Sequence, residues 1–534
     1  MNTFLLFFKR YIIADEPYTA CEEQHILRTQ IKWTCLSVLI LGLLAHGYAF
    51  FDAAFTHDSL NALYADTVEN TWKISLGRIF KPLYQTLIRG EFAAPWLIGI
   101  LSLLWAGLAI FLIVRMFAVQ APICITLISG ICIANLTYTL TAATYIYDLD
   151  ANMLAFFLAA LAAFLWKRKR FVSLLGALCV TIVLGIYQSY VSVSIVLIIL
   201  MSLTNLLNGK SFGQTLTKGL TGCIMLVLGA VIYALSLSAI RSFTGTSMNT
   251  SLANNLGQLS ELSINGILYA CRNTYGIMYV QLIHDWMTIF PLWFIKVSHI
   301  ALAASAILPF FAYIKKGIGF KETLLFAMLL FCIPLAVFLS MILSSFDALH
   351  QLMLHSLWLL YIFPVLVVYH SPASTKSCII RISRALIALI ITILVWGNIR
   401  TANALYLMKD MQYDASKSLM TRVLYRMEAS QNYVPGETPV ALIGTSSLLT
   451  QIPYTERYER LAGIQTNLIA RFPETSYDPQ YKLLSYTLSS PILLCSDETY
   501  ISLKNSAEVM QMPFYPDEGC MQLIDGTLVV KLGN

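Results

Sequence analysis

The sequence predicts an α-helical polytopic membrane protein, with about eleven transmembrane helices and a small α/β extracytoplasmic domain at its C-terminal end. Three observations support this fold class. Of the 534 residues, 57% are hydrophobic and only 12% are charged, and the mean hydropathy is +0.69. The apolar residues fall in long runs, and the composition becomes polar after residue 400. One protein core cannot bury so much apolar surface, so lipid must surround much of the chain.

The predicted spans are apolar runs of roughly 17 to 23 residues, which is long enough for a helix to cross a bilayer. They lie at 33–51, 95–116, 121–142, 151–166, 171–187, 189–207, 219–240, 290–313, 321–343, 355–370 and 380–399. The fifth and sixth runs are separated only by four polar and aromatic residues. The number of spans within 171–207 is therefore left open.

The basic residues predict the orientation. A cytoplasmic N-terminus places every short basic connection on the cytoplasmic side: Lys9, Arg10, Arg28, Lys32, Arg115, the cluster 167–170, Lys210, Lys218, Lys315, Lys316, Lys321, Lys376, Arg381 and Arg384. This is the positive-inside pattern, and it accounts for the net charge of +6 without a nucleic-acid partner. The opposite side receives a first loop at 52–94, a long loop at 241–289, a turn near His350 and the tail.

The tail predicts a second domain. We divide the chain into a transmembrane domain, 1–400, and an extracytoplasmic α/β domain, 401–534. Within the tail, 403–427 has a helical pattern. Residues 438–444 and 491–495 have strand patterns, and 520–532 predicts a hairpin that turns at Asp525-Gly526.

Two of the eleven cysteines, Cys495 and Cys520, lie in this tail. In an oxidising compartment two such residues predict a disulfide, and the alternative is a pair of buried thiols. Most other cysteines fall inside spans and are expected to pack as small apolar side chains.

The first loop carries the residues best suited to chemistry. Its first half holds four carboxylates that could remove a proton, Asp52, Asp58, Asp66 and Glu69. Its second half holds Lys73 and Arg78, and cations of this kind can hold a departing phosphate. The alternative is a charged surface loop that is merely solvated.

Other candidates lie in the remaining loops of that side. Asp148 and Asp150 form a DxD pair, which could bind a divalent metal or place one carboxylate near an acceptor. Arg272 lies among aromatic residues and could contact phosphate, or could be an interfacial arginine. His284, Asp285 and His350 are favoured as structural residues.

Five segments, in this order, resemble a known family. They are Phe55–Leu60 (FTHDSL), Trp72–Arg78 (WKISLGR), Pro95–Ser102 (PWLIGILS), Tyr145–Leu154 (YIYDLDANML) and Gly185–Ser192 (GIYQSYVS). Together they are similar to the serotype-converting O-antigen glucosyltransferases of phages and bacteria, the Gtr glucosyltransferases. The resemblance covers about the first 210 residues and is diffuse in the later spans.

The resemblance implies a GT-C-like membrane fold and a hexosyltransferase of the bacterial inner membrane. Such an enzyme moves one sugar, expected to be glucose, from a polyprenyl-phosphate carrier to a lipid-linked O-antigen. It implies a loop carboxylate as base, for which Asp58 is the first choice and Asp66 and Glu69 are reserves. Arg78, with Lys73 and Arg272, is expected to bind the donor phosphate.

The remaining positions are expected to contact substrate: His57, Asp150, Tyr187, Gln188 and His350. The expected reaction is an inverting single displacement that needs no nucleotide or soluble cofactor, and a divalent metal is left open. Two rival functions remain at this point. One is a polysaccharide or lipid-linked sugar transporter, which would carry charged or broken spans. The other is an O-antigen polymerase or ligase; a purely structural role is a further alternative.

Overall fold

A computed structural model describes most of the chain. The described residues are 20–52, 54–56, 58–60, 67–90, 92–168, 170–247, 264–283, 296–304, 307, 311, 319–342, 350–370, 378–444 and 479–533. Among the predicted site residues, His57, Asp66, His284 and Asp285 lie outside these ranges, as does the side chain of Glu69.

Helices dominate the first 428 residues. They are α1 (Ala20–Phe51), α2 (Thr67–Ser75), α3 (Lys81–Tyr84), α4 (Pro95–Met116), α5 (Pro122–Ile133), α6 (Leu136–Thr144), α7 (Ile146–Lys167), α8 (Arg170–Ile186), α9 (Val191–Leu207), α10 (Phe212–Thr244), α11 (Ile264–Ile283), α12 (Phe320–Val337), α13 (Leu339–Ile342), α14 (His355–Trp358), α15 (Ile362–Tyr369) and α16 (Cys378–Glu428). Proline at the first helical position starts α4 and α5, where a missing N–H costs nothing.

The described ranges contain seven helices that are long and apolar enough to cross a bilayer, or eight if one bent pair is counted as a span. Two further predicted spans coincide with shorter apolar helices, Ser173–Ile186 and His355–Tyr369. The predicted span 290–313 lies largely outside the described residues. The chain is thus a helical protein with several membrane helices, and the number eleven stays a prediction.

The predicted span 121–142 is broken in the structure. Helices α5 and α6 meet at 43° around Asn135. The Asn135 side chain accepts a hydrogen bond from the Tyr138 amide at 2.9 Å and donates to the carbonyls of Ile131 and Cys132. One side chain therefore caps α6 and satisfies carbonyls at the end of α5, which stabilises the break. The sequence predicted one continuous span here, whereas the structure has a discontinuous helix.

The second half of the first loop is folded into the protein. Residues 67–90 form α2, α3 and a π-helical turn, Gln85–Arg89, and the Phe80 amide donates to the Gly185 carbonyl at 2.8 Å. Lys73 and Lys81 are 2% and 1% exposed. A solvated surface loop is therefore the wrong description of this segment.

The predicted long loop 241–289 is also partly helical. Helix α10 continues to Thr244, and α11 occupies residues 264–283. Arg272 is an exposed residue of α11 rather than part of an irregular loop.

The tail contains the expected mixed α/β structure. Its further elements are β1 (Pro439–Ile443), α17 (Pro479–Lys482), β2 (Leu493–Leu494), α18 (Asp497–Lys504), α19 (Ala507–Gln511), β3 (Met521–Ile524) and β4 (Thr527–Lys531). The sheet order is β2-β1-β4-β3, in which β1 pairs in parallel with β2 and β4, and β3 and β4 form the predicted hairpin. Helix α16 passes without a break through the predicted domain boundary at residue 400.

The predicted disulfide is not formed. Cys495 and Cys520 are both buried thiols. Cys495 follows β2 and Cys520 precedes β3, and these strands form opposite edges of the four-stranded sheet. Three strand spacings separate the edges by about 14 Å, whereas a disulfide needs Cα atoms about 4.4–6.8 Å apart. The spacing of the two residues in sequence gave no information on this separation.

The first loop packs against the tail. Ala54 and Leu60 share a buried apolar cluster with Met420 and Val423 of α16 and Leu528 of β4. Tyr48, near the end of α1, donates a 2.8 Å hydrogen bond to Asp410 of α16. The loop and the tail therefore lie at the same end of the helical bundle.

Candidate active site

Asp58 is held close to the junction between α6 and α7. The preceding Thr56 donates from its hydroxyl to the Thr144 carbonyl at 2.7 Å, and Thr56 and Ser59 bond each other across a tight turn. This anchor places the half-buried Asp58 carboxylate against Tyr145, which donates a hydrogen bond to it. The sequence-predicted base thus has a defined position beside the helical bundle.

His350 faces the same carboxylate. Burial lowers the pKa of His350, and the negative charge of Asp58 partly offsets this effect. The imidazole is therefore largely neutral near pH 7, where it can donate or accept a hydrogen bond. The structure confirms that the first loop and the turn near His350 converge.

Arg78 is a second charged neighbour of Tyr145. Its guanidinium is 4.7 Å from the centre of the Tyr187 ring, within the range of a cation–π interaction. Its positive charge also reaches the Tyr145 hydroxyl. Tyr145 therefore has the Asp58 carboxylate and the Arg78 cation as neighbours.

A glycine turn positions Arg78. Gly77 has φ of +77°, and its carbonyl accepts a 2.9 Å hydrogen bond from Tyr233. Gln188 donates to the Leu76 carbonyl at 2.9 Å. A Cβ atom on residue 77 would lie 2.5 Å from the Tyr233 hydroxyl oxygen. The turn is thus clamped by side chains of α10 and of the α8–α9 junction, and Gln188 has a positioning role there.

Three cations surround one carboxylate next to this turn. Lys81 forms a 2.6 Å ion pair with Asp148, and Lys73 and Arg78 are close enough to act on the same carboxylate. Lys73 also donates to Gln85 at 3.1 Å. Burial lowers the pKa of Lys81 to about 7, although Asp148 acts in the opposite direction. The cations outnumber the carboxylate, so the cluster favours an anionic ligand.

Several buried polar atoms of these residues have no hydrogen-bond partner within the described part of the chain. They are Nε of Arg78, Oδ1 of Asp148 and Nδ1 of His350. Buried polar groups are normally hydrogen-bonded, because an unpaired one costs about 1–3 kcal/mol. Three such atoms in one region provide bonding capacity for a polar ligand.

Asp150, a predicted substrate contact, lies inside the bundle next to Arg89 of the first loop. Its side chain is fully buried, with Arg89 at 3.1 Å and the Tyr84 hydroxyl at 3.2 Å, and its other oxygen accepts from the Ala151 amide. The Trp105 indole in turn donates to Tyr84 at 2.9 Å. Asp150 is a structural partner of the first loop, and substrate contact would require breaking this ion pair.

The DxD pair does not have the geometry of a metal site. Asp148 is bound by Lys81 and Asp150 by Arg89, so each carboxylate has its own cation. Across the described ranges, no three His, Cys, Asp or Glu side chains lie together in a way that could hold a metal ion. Arg272 is exposed on α11.

Sequence reasoning missed Lys81, Tyr145 and Tyr233 as site residues. Lys81 has a weak signal, since it follows Arg78 by three residues in a short basic segment. The two tyrosines have none, because tyrosine at a span end normally indicates an interfacial residue. Only the packing of distant segments brings them to the loop.

The chain matches the family model described as Glucosyl transferase GtrII over residues 47–369. No curated protein and no solved structure matches the chain. The matched region is more than half of the chain and includes Asp58, Arg78, Asp148, Tyr187 and His350. The chain therefore belongs to the GtrII family, membrane glucosyltransferases of O-antigen modification.

Proposed function

We propose that the protein transfers one glucose from a polyprenyl-phosphate carrier to a hydroxyl of lipid-linked O-antigen. The reaction would take place at the extracytoplasmic face of the bacterial inner membrane. Membership of the GtrII family supports sugar transfer to a polysaccharide, and disfavours the transporter alternative. The carrier and the stereochemistry are our inference from the residues at the site.

One observation carries the proposal: the Tyr145 hydroxyl is hydrogen-bonded to the Asp58 carboxylate and also lies within electrostatic reach of the Arg78 cation. A sugar transfer from a phosphate carrier needs a base on one side of the anomeric carbon and a cation at the leaving group on the other. The Tyr145 ring lies beside Asp58 and the Tyr187 ring beside Arg78, and aromatic faces suit a sugar ring. A carboxylate, a cation and two aromatic rings in one region fit the proposed donor.

The proposed step is a single displacement. The acceptor oxygen forms a bond to the anomeric carbon as the bond from that carbon to the phosphate oxygen breaks. Asp58 takes the proton of the acceptor hydroxyl, and the electron pair of the broken bond leaves with polyprenyl phosphate. Attack opposite to the leaving group inverts the anomeric configuration.

The cation cluster would stabilise the leaving phosphate. Arg78 can present a fork of N–H donors to phosphate oxygens, and its Nε has no partner in the described part of the chain. Lys73 adds positive charge, while the Lys81–Asp148 pair fixes the start of α7 against the first loop. We propose no cofactor for this step, so transfer should persist in the presence of EDTA.

The test is transfer by the purified protein supplied with polyprenyl-phosphate glucose and lipid-linked O-antigen. Asp58→Asn keeps the shape of the side chain but removes the base, so the rate should fall about 10²- to 10⁴-fold. Asp52→Asn is the matched control, because Asp52 lies in the same loop and bonds the Ala54 amide instead. It should retain near-normal transfer.

Three readouts decide between the alternatives. The product should gain a single hexose by mass, with the opposite anomeric configuration to the donor by NMR. Addition of a whole glycan would indicate a polymerase or ligase. Full activity of the Asp58→Asn variant would show that Asp58 is not the base, and Asp66 and Glu69 would be the next candidates.

A further inference from the structure

A polar cavity lies at the end of the bundle opposite the candidate active site. It has a volume of about 500 Å³ and lies between the C-terminal ends of α4, α7, α9 and α15. Helix α7 begins beside the Lys81–Asp148 pair and ends at Lys167 in the cavity wall. At 1.5 Å per residue the two ends are about 32 Å apart, which is about the thickness of the bilayer core.

The cavity wall is basic. It includes Lys167, Lys210 and His370, together with the amides of Gln120, Asn205 and Asn208, and it includes no carboxylate. The described part of the chain shows no ion pair for Lys210, whose side chain is exposed at the turn after α9. Cations and amide donors without a carboxylate favour a phosphate group over a cation or an apolar ligand.

The wall is held by hydrogen bonds between helix ends. Lys167 donates to the Met116 carbonyl at 3.0 Å, and His370 bonds the Phe117 carbonyl at 3.0 Å. The backbone N–H of Gln120 donates to the Tyr369 hydroxyl at 2.9 Å. These contacts join α4, α7 and α15, so the cavity does not depend on a single flexible loop.

We propose that this cavity binds the phosphate of an anionic membrane lipid. A volume of about 500 Å³ falls within the range of small-molecule sites, about 300–1,000 Å³. The cavity lies where the apolar helices end, which is the depth of lipid headgroups. Basic pockets between helix ends bind anionic headgroups through the phosphate. This site is separate from the proposed sugar transfer and does not depend on it.

Native mass spectrometry of the full-length protein tests the proposal, with phosphatidylglycerol or phosphatidylcholine added to the detergent. Wild type should retain one phosphatidylglycerol and little phosphatidylcholine. Lys210→Gln should reduce phosphatidylglycerol affinity about five-fold, the expected contribution of one cation near a headgroup. Asn208→Asp, which adds a negative charge at an exposed wall position, should reduce it at least as much.

Arg381→Gln is the matched control, since Arg381 is an exposed cation that does not line the cavity. It should bind phosphatidylglycerol as wild type does, and thermal unfolding without added lipid should show that all variants are folded. Equal retention of both lipids, or an equal loss in Arg381→Gln, would overturn the proposal. Binding of inorganic phosphate at millimolar concentration without retention of lipid would assign the cavity to a soluble phosphate and overturn the lipid assignment.

Discussion

The individual residues of the site gain their roles from their neighbours. Within the described part of the first loop, the hydrogen bond from Tyr145 and the nearby His350 distinguish Asp58 from Asp52. Arg78 is distinguished in the same way by the Tyr187 ring. Lys73 and Arg89, in contrast, are buried and bonded to Gln85 and Asp150. The chemical type of a side chain therefore limits its roles, and its contacts select one.

Arg78→Ala should weaken donor binding. A hydrogen bond to a charged group contributes about 1.5–3 kcal/mol, so the KM for polyprenyl-phosphate glucose should rise about 10- to 100-fold. Arg272→Ala, which removes an exposed arginine on α11, is the control and should leave the KM unchanged. The opposite result would transfer the phosphate role to Arg272.

The Lys81–Asp148 pair should make stability depend on pH. In the unfolded chain lysine keeps its proton up to its ordinary pKa of 10.5, whereas burial lowers the pKa of Lys81 to about 7 in the folded protein. Between pH 7 and 10 the unfolded state binds more protons, so this contribution to the free energy of unfolding rises with pH. The rise is at most about 1.4 kcal/mol per pH unit.

This rise can be isolated by comparing wild type with the double variant Lys81→Met/Asp148→Asn, which removes both charges. Thermal midpoints at pH 7, 8 and 9 in one detergent should show wild type gaining stability relative to the double variant. Lys504→Met, at an exposed lysine, should show no such difference. A wild type that loses stability relative to the double variant over this range would contradict the assignment.

At the scale of elements, short breaks between helices build the site. The turn at Gly77 ends α2, the Asn135 break divides α5 from α6, and the segment 187–190 separates α8 from α9. Each break leaves backbone groups without a partner in the helix, and side chains hydrogen-bond to them. The Leu76 carbonyl, for example, accepts a hydrogen bond from the Gln188 side chain. Helix ends are where a bundle can direct polar side chains to one place, because helix interiors use their own backbone bonds.

Gly77→Ala should displace Arg78 and lower activity. A left-handed backbone costs an alanine about 1–2 kcal/mol, and its Cβ would also meet the Tyr233 hydroxyl at 2.5 Å. Gly245→Ala is the matched control, because Gly245 ends α10 in the left-handed conformation, with φ of +68°, and has nothing within 4 Å of a Cβ.

Both glycine variants should lose similar stability from backbone strain, measured as the thermal midpoint. Only Gly77→Ala should also lose transfer, because only its Cβ meets the Tyr233 hydroxyl and Gln188 Nε2, which clamp the turn. Equal losses of transfer in Gly77→Ala and Gly245→Ala would show that the Tyr233 contact has no part in positioning Arg78.

At the scale of the whole molecule, the loop that carries Asp58 is fixed to the tail. Leu60 is fully buried in the cluster that joins the loop to α16 and the sheet. The tail therefore shares one end of the bundle with the candidate active site, whereas the polar cavity at Lys210 lies at the other end. This arrangement separates sugar transfer from the face predicted to be cytoplasmic.

Cysteine labelling should establish the orientation. In spheroplasts, with the native cysteines replaced, a membrane-impermeant maleimide should react with Thr71→Cys in the loop and with Glu437→Cys in the tail. Lys210→Cys should react only after lysis, because it lies at the opposite end of the bundle. The reverse pattern would place the Asp58 loop in the cytosol and end the proposed use of an extracytoplasmic donor.

The amino-acid sequence by itself determined that the protein is a helical membrane protein and a member of its family. Long apolar runs, basic connections and ordered motifs are local features, so they can be read without contacts. The sequence also predicted Asp58 and Arg78, because a base and a cation of the right type occur in one loop.

The tertiary structure alone decided which charges are open to a ligand and which are structural. Inside the bundle, Asp150 is paired with Arg89 and Lys81 with Asp148. Arg272 is exposed, and Cys495 and Cys520 lie at opposite edges of a sheet. These outcomes depend on distances between segments far apart in the chain. Because burial and pairing, rather than residue type, set the free energy of a charge, no local pattern could have given them.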